Sequence, residues 1–219
     1  FMIDESIVSF KNLLQKTARE KNKRIETAFV WWYTETKFGK KCDIHVTDGS
    51  SDGGIDAIVF DDDLAYVIQS EFCNDLFQGK RPPALSPKKY SQFDSTVNIF
   101  RDKKNFEEYL GTVDNSLQAL YRKVAEKFQK DPAKVIWEIT TLHSSSSSGE
   151  KRLENIDYQN LHYHDYNFQL FQLSLEGATP LAKPLELNFD QHFIVGDSLL
   201  GIKSYIAQVF LKDFIDYVD

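Results

Sequence analysis

Over residues 6–15 the apolar side chains Ile7, Phe10, Leu13 and Leu14 recur at helical spacing, and Ile25, Phe29, Trp32 and Tyr33 repeat that spacing over 24–37. Two opening helices are predicted, the second closed by Gly39. The period then shortens. CDIHVTD alternates like an edge strand, and IDAIVF and LAYVIQSEF form two more strands joined through the turn DDD. Residues 74–89 contain Pro82, Pro83 and Pro87, which suit neither a helix interior nor a central strand, so a long exposed loop is expected there.

Helical spacing returns over 90–110 and 113–129, the latter with Leu117, Leu120, Tyr121, Val124 and Phe128, and Asp131-Pro132 stops it. KVIWEITTL reads as a buried strand, the serines 144–148 with Gly149 as a loop without chemistry, and 158–166 as another strand. Asn167 is placed to cap a short helix through Gln172. ELNFDQHFIV predicts a further strand, and 202–218 a C-terminal helix. Strands interleaved with helices and no internal repeat give an α/β class, and 219 residues are expected to form a single domain. With no glycine or proline stop after the last helix, this domain is expected to be the N-terminal part of a longer protein.

Composition narrows the function classes. With 42% hydrophobic and 27% charged residues the chain is neither disordered nor fibrous in character. No apolar run reaches membrane-spanning length, and acids occupy the start of the chain where a signal peptide would be basic, so a cytoplasmic location and no membrane partner are expected. Cys42 and Cys73 lack zinc-motif spacing and read as reduced thiols. A net charge of −7 means that nucleic-acid binding would rest on local clusters: Lys16 to Arg24, Lys80 to Lys89, and Arg101 to Lys104.

The chemistry concentrates in SSDGGIDAIVFDDDLAYVIQSEF. Strand alternation puts Gln69 and Glu71 on one face. If the hairpin turns through two or four residues, with 61 opposite 64, Asp56 lies opposite Gln69 with its side chain on the same side, whereas an odd turn spoils this unless a bulge restores register. Asp56 and Glu71 are suited to hold a hard cation, Mg²⁺ or Mn²⁺, for phosphodiester hydrolysis. Glu26, at the margin of the second helix's apolar stripe, is a further candidate ligand that is expected to face the sheet.

These residues carry a resemblance. Glu26, Asp52-Gly53-Gly54-Ile55-Asp56, the acidic turn Asp61–Asp63 and Gln69-Ser70-Glu71-Phe72 look like the core of the PD-(D/E)xK nucleases, and most resemble the abortive infection phage resistance (AIPR) proteins. The resemblance implies a restriction-endonuclease-like fold, a central mixed sheet flanked by helices. It implies nucleic-acid cleavage with Mg²⁺ or Mn²⁺ in phage defence, DNA favoured over RNA, with Asp56, Gln69, Glu71 and Glu26 as site residues. Glu71 stands where the family has lysine. It is therefore a metal ligand, a group handling water in the lysine's place, or an inactivating replacement, and a catalytically degenerate domain that binds nucleic acid or a protein partner is the alternative function. Self-association into a homo-oligomer is left open.

Other residues have plainer readings. His162 and His164 share a strand face, but without an identifiable third ligand they read as surface or packing histidines. His45 reads as a strand-edge histidine, with a base role as the sharper alternative. Phe29, Trp31, Trp32 and Tyr33 read as core plus one partly exposed ring.

Overall fold

The computed structural model of the chain describes residues 5–39, 41–47, 54–145, 160–176, 193–196 and 204–207. Helices α1 (Glu5–Glu20) and α2 (Ile25–Phe38) lead into strands β1 (Asp43–Val46), β2 (Ala57–Asp61) and β3 (Leu64–Glu71). Three helices follow, α3 (Pro87–Arg101), α4 (Lys103–Leu110) and α5 (Asn115–Lys130), then β4 (Val135–Thr141), β5 (Leu161–His164) and α6 (Tyr166–Glu176). The strands lie in the order β1-β2-β3-β4-β5. The first three pair antiparallel, and β4 and β5 join in parallel. The fold is thus α/β with a mixed, open sheet. This sheet lies in the first of two compact units, Phe1–Ser174; the second, Leu175–Asp219, holds the antiparallel pair β6 (Phe193–Gly196) and β7 (Ser204–Ala207). No helix among the described residues is long and apolar enough to cross a membrane.

Alternation along the strands divides the sheet's side chains between two cores. On one face Ile58, Phe60, Ala65, Val67, Val135, Trp137 and Ile139 pack with Phe93, Phe100, Tyr121 and Phe128. On the other, Ala57, Val59 and Ile68 pack with Phe10, Leu14, Phe29, Trp32 and Tyr33 from the two N-terminal helices. The aromatic run of α2 behaves as its pattern predicts: Phe29, Trp32 and Tyr33 are buried, while Trp31 is half-buried with the Lys21 ammonium 3.8 Å from its ring centroid.

The β2–β3 turn has two central residues, with Asp61 paired to Leu64. Asp62 takes a positive φ of 49°, a conformation its short polar side chain tolerates. Asp63 is clamped from outside the hairpin by Lys127 of α5, whose Nζ lies 2.8 Å from its carbonyl oxygen and 3.2 Å from Oδ1, and by Lys134 on Oδ2. Hydrogen bonds from both lysines hold the Asp63 carboxyl below its ordinary pKa.

Three expectations are corrected. The single helix over 90–110 is two, because the Asp102 backbone is extended and its carboxylate accepts from the Asn105 N–H at 2.8 Å, capping α4. The predicted loop over 74–89 ends early: Pro87 opens α3, with Ser86 as N-cap accepting from the Lys88 N–H, since proline at the first helical position forfeits no hydrogen bond. The C-terminal helix over 202–218 is replaced at its start by β7, where Tyr205 and Ile206 pair in antiparallel register with Val195 and Ile194 of β6. Residues 208–219 lie outside the described residues, as do 146–149 of the predicted serine loop; Ser144 itself bridges to Ala84.

Phe100 is fully buried, with Phe106, Tyr109, Tyr121 and Trp137 all within 6 Å ring separations. Urea unfolding of Phe100→Ala should show a loss of about 3–5 kcal/mol. A loss below about 1 kcal/mol would contradict the packing described, since it is the size expected of a surface site.

Candidate functional site

Asp56 sits one residue before β2, where three strands hold it. Its carbonyl accepts from the Thr47 N–H at 3.0 Å, and its own N–H donates to the Ile68 carbonyl at 2.9 Å. The carboxylate Oδ2 accepts from the Ser70 N–H at 2.7 Å. Gly54, just upstream, has φ of 84°, which its lack of Cβ permits. Thr47 Oγ1 donates to the Ile55 carbonyl and secures this approach.

Gln69 and Glu71 extend the row of Ala65 and Val67 on the α3–α5 side of β3, and both line a cleft of about 530 Å³ together with Asp56. The opposite wall is the N-terminal half of α3: Lys88, Lys89, Gln92, Ser95 and Thr96. Lys89 forms an ion pair with Glu71. The cleft therefore combines two carboxylates, an amide and two ammonium groups beside a helix N-terminus, whose amide dipoles favour anions. Such a site can hold a hard cation at its carboxylate edge and a phosphate at its lysine edge.

The hairpin register is the one expected from a two-residue turn, and it brings Asp56, Gln69 and Glu71 to one cleft. Glu26 is not among that cleft's lining residues. It was expected to face the sheet but is exposed in the first turn of α2, a helix whose buried residues join the opposite core. Helix periodicity placed it at a stripe margin, and the solvent side won. His45 pairs with Ile58, bonds Asp43 Oδ1 through Nε2 at 2.9 Å and lines a separate groove with Phe60 and Lys123. Lys88 and Lys89 are the members of the basic clusters that reach the Asp56 cleft.

On the other side of the sheet lies a second cluster. Glu138 of β4 is fully buried, and the register sets it opposite His162 of β5, with His164 two residues on. Glu138 Oε2 accepts from Tyr33 Oη at 3.0 Å; Oε1 meets the Lys37 ammonium, His162 Nδ1 at 3.3 Å and His164 Nε2 at 3.9 Å. One ligand atom from each of Glu138, His162 and His164 lies within 4.8 Å of the others, so this triad is able to hold a metal ion. Glu138 is the third candidate ligand that the histidine pair alone did not reveal. An acid inside the apolar strand KVIWEITTL was its signal, because a buried carboxylate demands partners.

Burial alone would raise the Glu138 carboxyl, but the His162 hydrogen bond, the nearby His164 imidazole and the Lys37 charge hold it well below the carboxylate range. Burial likewise pushes His164 down, against the opposing pull of Glu138, and it pushes the Tyr33 phenol up together with the Glu138 charge. His164 Nδ1 is buried without a hydrogen-bond partner among the described residues.

No family model, curated protein or solved structure matches this chain.

The depressed His164 sets a pH dependence. Folding disfavours protonation of this imidazole, chiefly through burial, so around and below its ordinary value, about 6.5, the unfolded chain takes up a proton more readily than the folded chain. Stability then falls as pH drops. Urea unfolding in a chelator should show the midpoint decreasing from pH 7.5 to 5.5, and His164→Gln should remove most of that slope. An unchanged slope in the variant would refute the assignment.

Proposed function

We propose that this chain carries a metal-dependent nuclease domain that hydrolyses phosphodiester bonds, centred on Asp56, Gln69 and Glu71. The observation that carries this reading is the cleft that joins these three residues to Lys88 and Lys89 at the start of α3. The donor set fits a hard cation, since Asp56 and Glu71 offer carboxylate oxygens and Gln69 an amide oxygen. Asp56, Glu71 and Gln69 would hold Mg²⁺ or Mn²⁺, which would supply positive charge to a phosphate when bound.

The chain's own residues do the rest. Asp56 is anchored by the Ser70 N–H, which orients its carboxylate at the cleft. Glu71, on the adjoining strand, supplies the second charge. Lys89 brings to Glu71 the ammonium that the family resemblance puts at position 71 itself, and it is half-exposed, so it can turn from the carboxylate to a phosphate oxygen. Lys88, through its ammonium group, binds the nucleic-acid backbone. These lysines give the anionic chain a local basic edge, consistent with its net charge of −7.

The finer fold assignment, restriction-endonuclease-like, is supported by element order: a helix with Glu26, the strand that follows Asp56, an acidic turn, the strand of Gln69 and Glu71, then three helices, two parallel strands and a helix. The AIPR membership, the role in phage defence and the preference for DNA rest on the sequence resemblance over 52–72. The Glu71–Lys89 ion pair also favours a second reading, a nuclease-fold domain that binds nucleic acid without cleaving it, because the pair neutralises both groups in place.

Cleavage of single- and double-stranded DNA and RNA with Mg²⁺ or Mn²⁺ separates the two. The nuclease reading predicts cation-dependent cutting, abolished in Asp56→Asn and reduced by about 10²- to 10³-fold in Lys89→Ala, the effect of removing one transition-state donor. Binding without cutting under every condition would establish the degenerate reading.

A further inference from the structure

We propose that Glu138, His162 and His164 form a binding site for Zn²⁺, independent of the Asp56 cleft, in which Lys37 occupies the cation's place when the metal is absent. Two imidazoles and one carboxylate are a donor set that zinc takes with a position left open. The three come together for a simple reason: His162 and His164 alternate onto one face of β5, and the parallel register sets Glu138 beside His162.

The distances suit a small ion. Ligand atoms of a tetrahedral zinc with bonds near 2.0–2.1 Å lie about 3.3–3.4 Å apart. Glu138 Oε1 is 3.3 Å from His162 Nδ1 and 3.9 Å from His164 Nε2. All three ligand atoms lie within 4.8 Å of one another, so small side-chain shifts complete the geometry, and strands supply a rigid frame for it.

Lys37 shows that these atoms already converge on positive charge. Its Nζ contacts Glu138 Oε1, lies 3.5 Å from His164 Nε2 and 3.4 Å from Tyr33 Oη. The Lys37 side chain is 27% exposed, as is that of His162, so the ammonium has a route to water and the ion has a way in. Binding is then an exchange, with the ammonium leaving as the divalent ion enters. Tyr33 stays on Oε2, orienting the carboxylate from behind in the manner of outer-shell partners. Imidazole donors separate this site from the all-oxygen cleft at Asp56: the first suits Zn²⁺, the second Mg²⁺ or Mn²⁺.

Calorimetric titration of the metal-free chain with Zn²⁺, paired with the visible spectrum of Co²⁺ as a probe of imidazole ligation, tests this. The tightest equivalent should bind here, with the intense bands of a low-coordinate Co²⁺ site. His162→Ala, at a partly exposed position that folding tolerates, should weaken binding by about 100-fold or more, since even outer partners of ligands are worth about 10- to 100-fold. Lys37→Met should tighten it by removing the competitor, and Asp56→Asn should leave it unchanged. Absence of binding in both the wild type and Lys37→Met would overturn the site, as would binding insensitive to His162→Ala. Equal affinity in Lys37→Met and the wild type would overturn the exchange. None of these readouts depends on nuclease activity.

Discussion

The two-residue turn at Asp62–Asp63 is the constraint from which the Asp56 cleft follows. Because side chains alternate along a strand, one residue more or less in this turn would send Gln69 and Glu71 to the opposite side of β3 relative to Asp56. The chain secures the turn from outside the hairpin, through Lys127 and Lys134 on Asp63. Those lysines flank the end of α5 and the start of β4, so the register of the antiparallel half is tied to the element that begins the parallel half. At the other end of the hairpin, Thr47 and Ser70 hold Asp56 by backbone hydrogen bonds. A carboxylate fixed at both the backbone and Oδ2 is a preorganised group.

The same alternation gives the sheet two chemically different faces. Odd positions of β3 lead from an apolar core to Gln69 and Glu71, where the N-terminal half of α3 faces them with lysines. On the other face, Glu138 interrupts the apolar run of β4 and gathers Tyr33, Lys37, His162 and His164 around one carboxylate. A buried carboxylate is tolerable only with such partners, because leaving it unpaired costs several kcal/mol, on the order of 3–5. The first cleft is open and made of oxygen donors. The second is more deeply buried and imidazole-rich, so the two would discriminate between cations by ligand softness.

The hairpin was legible in the sequence because its signals are local: an acidic turn, period-two alternation and a glycine pair before Asp56. Lys89 was not, because three prolines nearby argued against a helix. Pro87 in fact opens α3, which turns Lys88 and Lys89 from loop residues into one wall of the cleft. The break at Asp102 was legible in principle, since an aspartate before Lys-Lys-Asn can cap a new helix, but continuous helical spacing outweighed it. The His162–His164 pair was visible, whereas its partner Glu138 lies 24 residues earlier in sequence, and the pairing of β4 with β5 is long-range information that no local pattern carries. Residues 204–207 failed for the opposite reason: a short apolar run fits either period, and pairing with β6 decides it.

The account stands most directly on a cation at the Asp56 carboxylate. Anomalous diffraction from crystals of the protein soaked in millimolar Mn²⁺ measures this without reference to any substrate. The account predicts a peak within coordination distance of Asp56 and Glu71, about 2.0–2.6 Å for oxygen ligands, with Lys89 turned away and the peak lost in Asp56→Asn. Ordered crystals showing no peak in that cleft, with Lys89 still on Glu71, would contradict it.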